Sequence, residues 1–148
     1  MNLFQSMQIS ASGLQSQRMV INVISENMAN AHTTRTEEGG PYLRKRAVLT
    51  PAPVPSGSPF FELLTRRMEP EAMGVKVLDV VTDTEGLKTI FDPSHPDADE
   101  AGLVLLPNVN LMEEMVTLLA ASRIFEANVA AFNAAKMMTL KSLEIGNR

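Results

Sequence analysis

Two stretches carry apolar residues at helical spacing, one at each end of the chain, and a β-patterned middle lies between them. From Asn108 to Ile145 no proline or glycine interrupts the sequence. Leu111, Met115, Leu118, Phe125, Val129 and Phe132 recur there at the three-and-four spacing of an amphipathic helix, with Ser122 the polar member of the row. A second row, Val116, Ala120, Ile124, Ala127, Ala131, Ala134 and Met138, is rich in small side chains that let another helix come close. Asn110, three residues before Glu113, resembles a capping box, and Glu113 and Glu114 suit the positive end of the helix dipole. Lys136, Lys141 and then Gly146 mark the stop. At about 1.5 Å per residue such a helix is roughly 50 Å long, so much of it must find partners outside a compact core.

Residues from about Leu3 to Ala31 give the second helical stretch, carrying Phe4, Met7, Ala11, Leu14, Ile21, Ile24 and Met28. Met7, Leu14, Ile21 and Met28 share one phase of a seven-residue beat, and Val20 and Val23 broaden the stripe. That beat fits a coiled-coil seam, and it fits equally an amphipathic helix lying on its own core.

The middle is different in kind. A polar, turn-rich run from Asn30 to Pro41 reads as a loop, with His32 capping a helix end. Arg44, Lys45 and Arg46 then precede Ala47-Val48-Leu49; three adjacent cations could face nucleic acid, but they also suit a solvated strand edge. Pro51, Pro53, Pro55 and Pro59 give a linker-like, extended stretch, and Phe60 to Met68 fits a short helix or a strand. Strands are expected over 75–81, 88–91 and 103–106. The fold class is therefore α+β: long N- and C-terminal helices paired as a coiled coil, with a small β-rich domain inserted between them. The predicted boundaries are 1–35 and 107–148 for the helical domain and 36–106 for the β-rich one, with a linker or insertion near 51–73.

Composition narrows the chemistry. A net charge of −4 argues against nucleic acid as a main partner. The absence of cysteine removes disulfides, thiol catalysis and Cys-ligated zinc. Ten methionines, one tyrosine and no tryptophan suit adaptable helix-packing surfaces better than an aromatic ligand pocket. No stretch reads as an apolar run long enough to cross a bilayer, and the N-terminus has neither a basic n-region nor an apolar h-region. By itself that predicts a cytoplasmic protein. One loop, Asp92–Glu100, sets His95 among four carboxylates, as a hard-cation site requires. It lacks the alternating acidic spacing of a calcium loop and holds two prolines, so a turn whose Asp and Ser side chains cap their own backbone fits as well. No phosphate loop, zinc-protease or nucleophile-elbow pattern occurs, and no acid/base pair is positioned. Neither catalytic residues nor a cofactor or metal are expected.

Several short motifs fall in one order along the chain. Ser12-Gly13-Leu14, Ile24 through Ala31, and Thr33-Thr34 resemble the N-terminal signature of flagellar rod and hook proteins. Gly39 through Lys45, Gly74 through Val77, Phe91 through Ala98, Pro107 through Asn110, Glu114-Met115 and Ala121 through Val129 narrow the resemblance. They are similar to bacterial flagellar basal-body rod proteins of the FlgC type, over nearly the whole chain and most weakly from Pro51 to Met73. Asn27, Asn30, Asn108, Glu114, Arg123 and Asn128 are the motif's polar residues. Phe91 and Phe125 stand where relatives often carry tyrosine, and the segment from Pro51 to Met73 is longer than in the shortest relatives.

The resemblance implies a structural, non-enzymatic subunit of the proximal rod, exported by the flagellar type III apparatus without signal cleavage. This replaces the cytoplasmic expectation with a periplasmic one. It implies partners among rod proteins of the FlgB, FlgF, FlgG and FliE types and further copies of the chain, with no nucleic acid and no membrane insertion. Helix pairing and subunit contact are then expected at Met7, Leu14, Ile21, Ile24, Met28, Leu111, Met115, Leu118, Phe125, Val129 and Phe132. The competing reading is a cytoplasmic coiled-coil adaptor or export chaperone using the same stripes; a metal-dependent enzyme centred on His95 is a third.

Overall fold

The computed structural model describes residues 3–37, 39–53 and 73–146. The elements in order are α1 (Leu3–Ala29), β1 (Lys45–Pro53), β2 (Met73–Thr82), β3 (Lys88–Phe91), β4 (Leu103–Leu106) and α2 (Leu111–Gly146), an α+β chain. Both terminal helices and all three expected strands are present. β1 and β2 form one two-stranded sheet, and β3 and β4 another. The second is antiparallel, with Lys88 opposite Leu106 and Phe91 opposite Leu103.

Two boundaries differ from expectation. The basic cluster opens β1, and that strand continues through Pro51 and Pro53 where a linker was expected. Prolines two apart place both missing N–H groups on one strand edge. Lys45 shares their parity, and its amide and carbonyl are both bonded to the side chain of Asn27 rather than to β2. In a two-stranded sheet β1 has one free edge, on which a proline's missing N–H costs no ladder bond. The remainder of the proline-rich segment, including Pro55, Pro59 and the Phe60–Met68 stretch, lies outside the described residues. The second difference concerns α2, which is long and apolar enough over an 18-residue window to cross a membrane by length and composition. The expectation of no such stretch is corrected. The apolar residues are dispersed among alanines on all sides of the helix, so no unbroken run announces them.

The chain divides into two compact units, each taking a part of both helices and a part of both long strands. Unit 1 comprises Met1–Met19, Leu49–Leu78 and Ala121–Arg148. Within it, Gly13 of α1 faces Asn128 of α2 so closely that a Cβ on Gly13 would sit 3.0 Å from the Asn128 amide oxygen. Ser12 and Ser16, one turn apart on α1, grip the backbone of Val75. Ser12 Oγ accepts from its N–H at 3.1 Å, and Ser16 Oγ donates to its carbonyl at 3.0 Å. Among the described residues of this unit, Ser10, Ser16, Ala121 and Ala135 are the buried side chains, all small.

Unit 2 comprises Val20–Val48 and Asp79–Ala120. Ala31, Tyr42 and Val109 form its buried apolar cluster, and Val104 of β4 is completely buried. Gly102, just before β4, has φ +73°, and a Cβ there would meet the Phe91 ring and Pro93 at 3.0 Å. Only glycine satisfies both conditions.

Burial along each helix follows a heptad. On α2 the buried and half-buried positions are 114, 118, 121, 122, 125, 128, 132, 135 and 139. Leu118, Ser122, Phe125 and Phe132 from the expected row are half-buried, whereas Leu111, Met115 and Val129 are exposed. Their places are taken by Ala121, Asn128 and Ala135, whose short side chains permit close backbone approach. On α1, Met7, Leu14, Ile21 and Met28 are half-buried, and Ile24 is buried with Val23 and Asn27. The whole second row of α2, from Val116 to Met138, is exposed.

Candidate functional site

The most organised chemistry in the chain is a polar node inside unit 2, and it begins with one amide. Asn27 ends the buried face of α1, and only 1% of its surface is exposed. Its Nδ2 donates to the Lys45 carbonyl at 2.8 Å and to Glu114 Oε2 at 3.2 Å. Its Oδ1 accepts from the Lys45 N–H at 2.9 Å and from the Tyr42 hydroxyl at 3.0 Å. Every hydrogen-bonding capacity of the side chain is filled. The bonds to Lys45 imitate a neighbouring strand, so at the first residue of β1 one side chain stands in for a ladder partner.

Glu114 is as deeply buried, in the first turn of α2. Asn110 starts that turn: its Oδ1 accepts from the Met112 N–H at 3.1 Å, and its carbonyl from the Glu114 N–H at 3.0 Å. Glu114 Oε1 receives both Nε and Nη2 of Arg44 at 2.7 Å. Isolated, a buried carboxylate is expensive; here each oxygen has a donor, one of them cationic. Asn108 closes the circuit, accepting from the Arg44 N–H at 2.7 Å while its Nδ2 donates to the Asp83 and Glu85 carbonyls. The Asp83 N–H bonds the Arg44 carbonyl at 2.8 Å. Burial, with Glu26 and Glu114 nearby, pushes the Tyr42 hydroxyl up to about 12. Lys45 sits 5.6 Å from the centre of the Tyr42 ring and is paired with Glu26.

The node joins three of the six predicted motif residues, Asn27, Asn108 and Glu114. The other three stand apart from it. Asn30 terminates α1, donating to the Glu26 carbonyl and accepting from Thr33 Oγ1. Arg123 makes an exposed pair with Glu126 one turn along, and Asn128 faces Gly13. Sequence reading missed Tyr42, Arg44 and the Ser12/Ser16 pair as working groups. A lone tyrosine next to the basic cluster, and two serines four apart on one face of α1, were the available signals.

In the Asp92–Glu100 loop, Asp92 and Asp99 bond the loop's own backbone. Asp92 Oδ1 accepts from Ser94 Oγ at 2.6 Å and from the Ser94 N–H at 3.1 Å, which hold its carboxyl below the usual range. Asp99 Oδ1 caps the Ala101 and Leu103 amides, and His95 Nδ1 accepts from the Asp97 N–H. Asp97 also accepts from Thr34 Oγ1 at 2.7 Å. Among the described residues no group of three or more acidic or histidine side chains is placed to hold a metal ion. The geometry is that of a fastening, with polar groups matched to one another rather than aimed at a ligand.

Residues 101–145 match the family model described as the C-terminal domain of flagellar basal body rod FlgEFG proteins. Over nearly its whole length the chain is similar to curated proteins each named flagellar basal-body rod protein FlgC. It is 41% identical to that of Borreliella burgdorferi, with 98% of each chain covered. It is 40% identical to that of Bacillus subtilis and 34% to that of Yersinia enterocolitica, with 99% of each chain covered in both cases. A full-length match at these identities, together with two long terminal helices around small antiparallel sheets, shows that the chain belongs to the FlgC family of structural flagellar basal-body rod proteins.

Proposed function

We propose that the chain is a subunit of the proximal rod, exported by the flagellar type III apparatus without signal cleavage. It assembles in the periplasm with copies of itself and with rod proteins of the FlgB, FlgF, FlgG and FliE types. Residues 1–35 and 107–148 make the helical domain, in which α1 and α2 pair as an antiparallel coiled coil, and 36–106 makes the small outer β-rich domain. Support for the pairing comes from two contacts, Gly13 with Asn128 and Asn27 with Glu114. They lie two heptads apart on each helix and run in opposite chain directions, as an antiparallel seam requires.

The observation that carries the assembly reading is the apolar surface left over on α2. Met112, Met115, Val116, Leu119, Ile124 and Met138 are exposed although the buried stripe is already occupied. Exposed apolar area on this scale marks an interaction surface. Packed side chains in such contacts occupy discrete positions and resist sliding, which is what transmission of torque requires.

Purified hook–basal bodies test the proposal directly. The native chain is expected in them, and Leu118→Asp or Phe125→Asp is expected to abolish rod assembly and swimming. Normal swimming in both variants, or native protein confined to the cytoplasm as an adaptor or chaperone would be, overturns it.

A further inference from the structure

We propose that α2 carries two complementary docking patches, and that the first patch of one copy seats on the second patch of another copy of this chain. The proposal rests on the rod-subunit reading and names the surfaces that would meet. In the first patch Met112, Val116 and Leu119 stand at i, i+4 and i+7, and are 72%, 66% and 68% exposed. A groove of about 410 Å³, lined by Arg44, Met112, Glu113, Val116 and Thr117, opens beside them. In the second patch Lys136, Leu140 and Leu143 repeat the same spacing, with both leucines more than half exposed.

Apolar area alone names no partner; the charges do. Arg123 is paired with Glu126, and Lys141 with Glu144, within the helix. The carboxylate of Glu113 and the ammonium of Lys136 have no ion-pair or hydrogen-bond partner among the described residues. With the two helices parallel, as a Val116–Leu140 contact in register with Met112–Lys136 requires, first patch on first patch sets Glu113 beside Glu113, and second on second sets Lys136 beside Lys136. Both like pairings are repulsive, whereas first on second brings opposite charges to the rim of an apolar contact. A contact between two different surfaces leaves one of each free at the ends, so it propagates instead of stopping at a dimer.

The absence of cysteine makes the test clean. Cells carrying Val116→Cys/Leu140→Cys as their only copy are oxidised, and their basal bodies are purified and run without reductant. A ladder of disulfide-linked chains is expected from the double variant, and none from Val116→Cys or Leu140→Cys alone. In the same background Glu113→Lys or Lys136→Glu is expected to abolish the ladder, and the two together to restore it. That restoration separates a lost contact from a lost fold. Dimers from either single-cysteine variant, or a ladder indifferent to charge reversal, overturn the proposal. If the chain is present in basal bodies but forms no ladder, this inference fails alone; if it is absent from them, the rod-subunit reading fails too.

Discussion

Unit 1 and unit 2 are assembled from the same three ingredients, a length of α1, a length of α2 and a piece of the β1–β2 sheet, yet different chemistry holds each. Unit 2 buries Asn27 and Glu114 and satisfies both through Arg44, Lys45 and Tyr42. Unit 1 buries serines and alanines, and uses hydroxyls to hold one residue of β2. A buried, fully bonded amide and carboxylate accept few alternative arrangements, whereas small side chains give close approach with little directional demand. The contrast teaches that register is specified at one end of each helix and merely tolerated at the other. Unit 2 is thus equipped to fix how the chain folds, and unit 1 packs with fewer directional demands.

The sharpest way to break this contrast is to remove the cation from the node. Arg44→Met leaves Glu114 buried without its charged partner, which should lower unfolding free energy by about 3–5 kcal/mol. Urea unfolding followed by far-UV circular dichroism measures it, and Arg44→Met/Glu114→Gln should recover part of the loss. If Arg44→Met unfolds like the parent, the node is decorative and the distinction between the units fails.

A smaller effect is expected in unit 1. Gly13→Leu forces a side chain into the Asn128 amide, an overpacking that costs about 1–3 kcal/mol. Adding Asn128→Ala opens the space again and should return most of that stability. Amide exchange in the unassembled chain sharpens the same point without mutation. Residues 3–19 and 121–146 should exchange faster than 20–29 and 111–120, since the latter flank the node. Equal protection along both helices would place the fixed register everywhere rather than at one end.

The helices were legible because their spacing is repeated many times, and β2, β3 and β4 because their branched residues cluster. The buried stripe of α2 was legible at Leu118, Ser122, Phe125 and Phe132. The three apolar ones sit in a heptad that can be completed on either side, by Met115 and Val129 or by Ala121 and Asn128. Hydrophobicity favours the first completion and close helix approach the second, and only the partner helix decides between them. The node was half legible: Asn27, Asn108 and Glu114 stood out as polar residues of a motif. Their meeting with Tyr42 and Arg44 depends on turns that bring together positions up to 87 residues apart. Arg44 was hidden by its neighbours, since one working arginine among three adjacent cations looks like a solvated edge.

The gentlest probe of the node leaves the protein untouched at neutral pH. Tyr42 is the only tyrosine and the chain has no tryptophan, so tyrosinate absorbance in the near ultraviolet reports this one hydroxyl. Its ordinary value is near 10 and the fold raises it to about 12. The folded chain therefore holds the proton more tightly than the unfolded one, and the contribution to stability is fully present below pH 10. It is lost progressively as pH rises from 10 towards 12, because unfolding then releases the proton. Alkaline unfolding should accordingly coincide with the rise in tyrosinate signal, and Tyr42→Phe should flatten the stability profile across that window. A hydroxyl that titrates near 10 with circular dichroism unchanged would mean that Tyr42 is solvated, and that the Asn27 amide is not closed off from water as the contrast between the units demands.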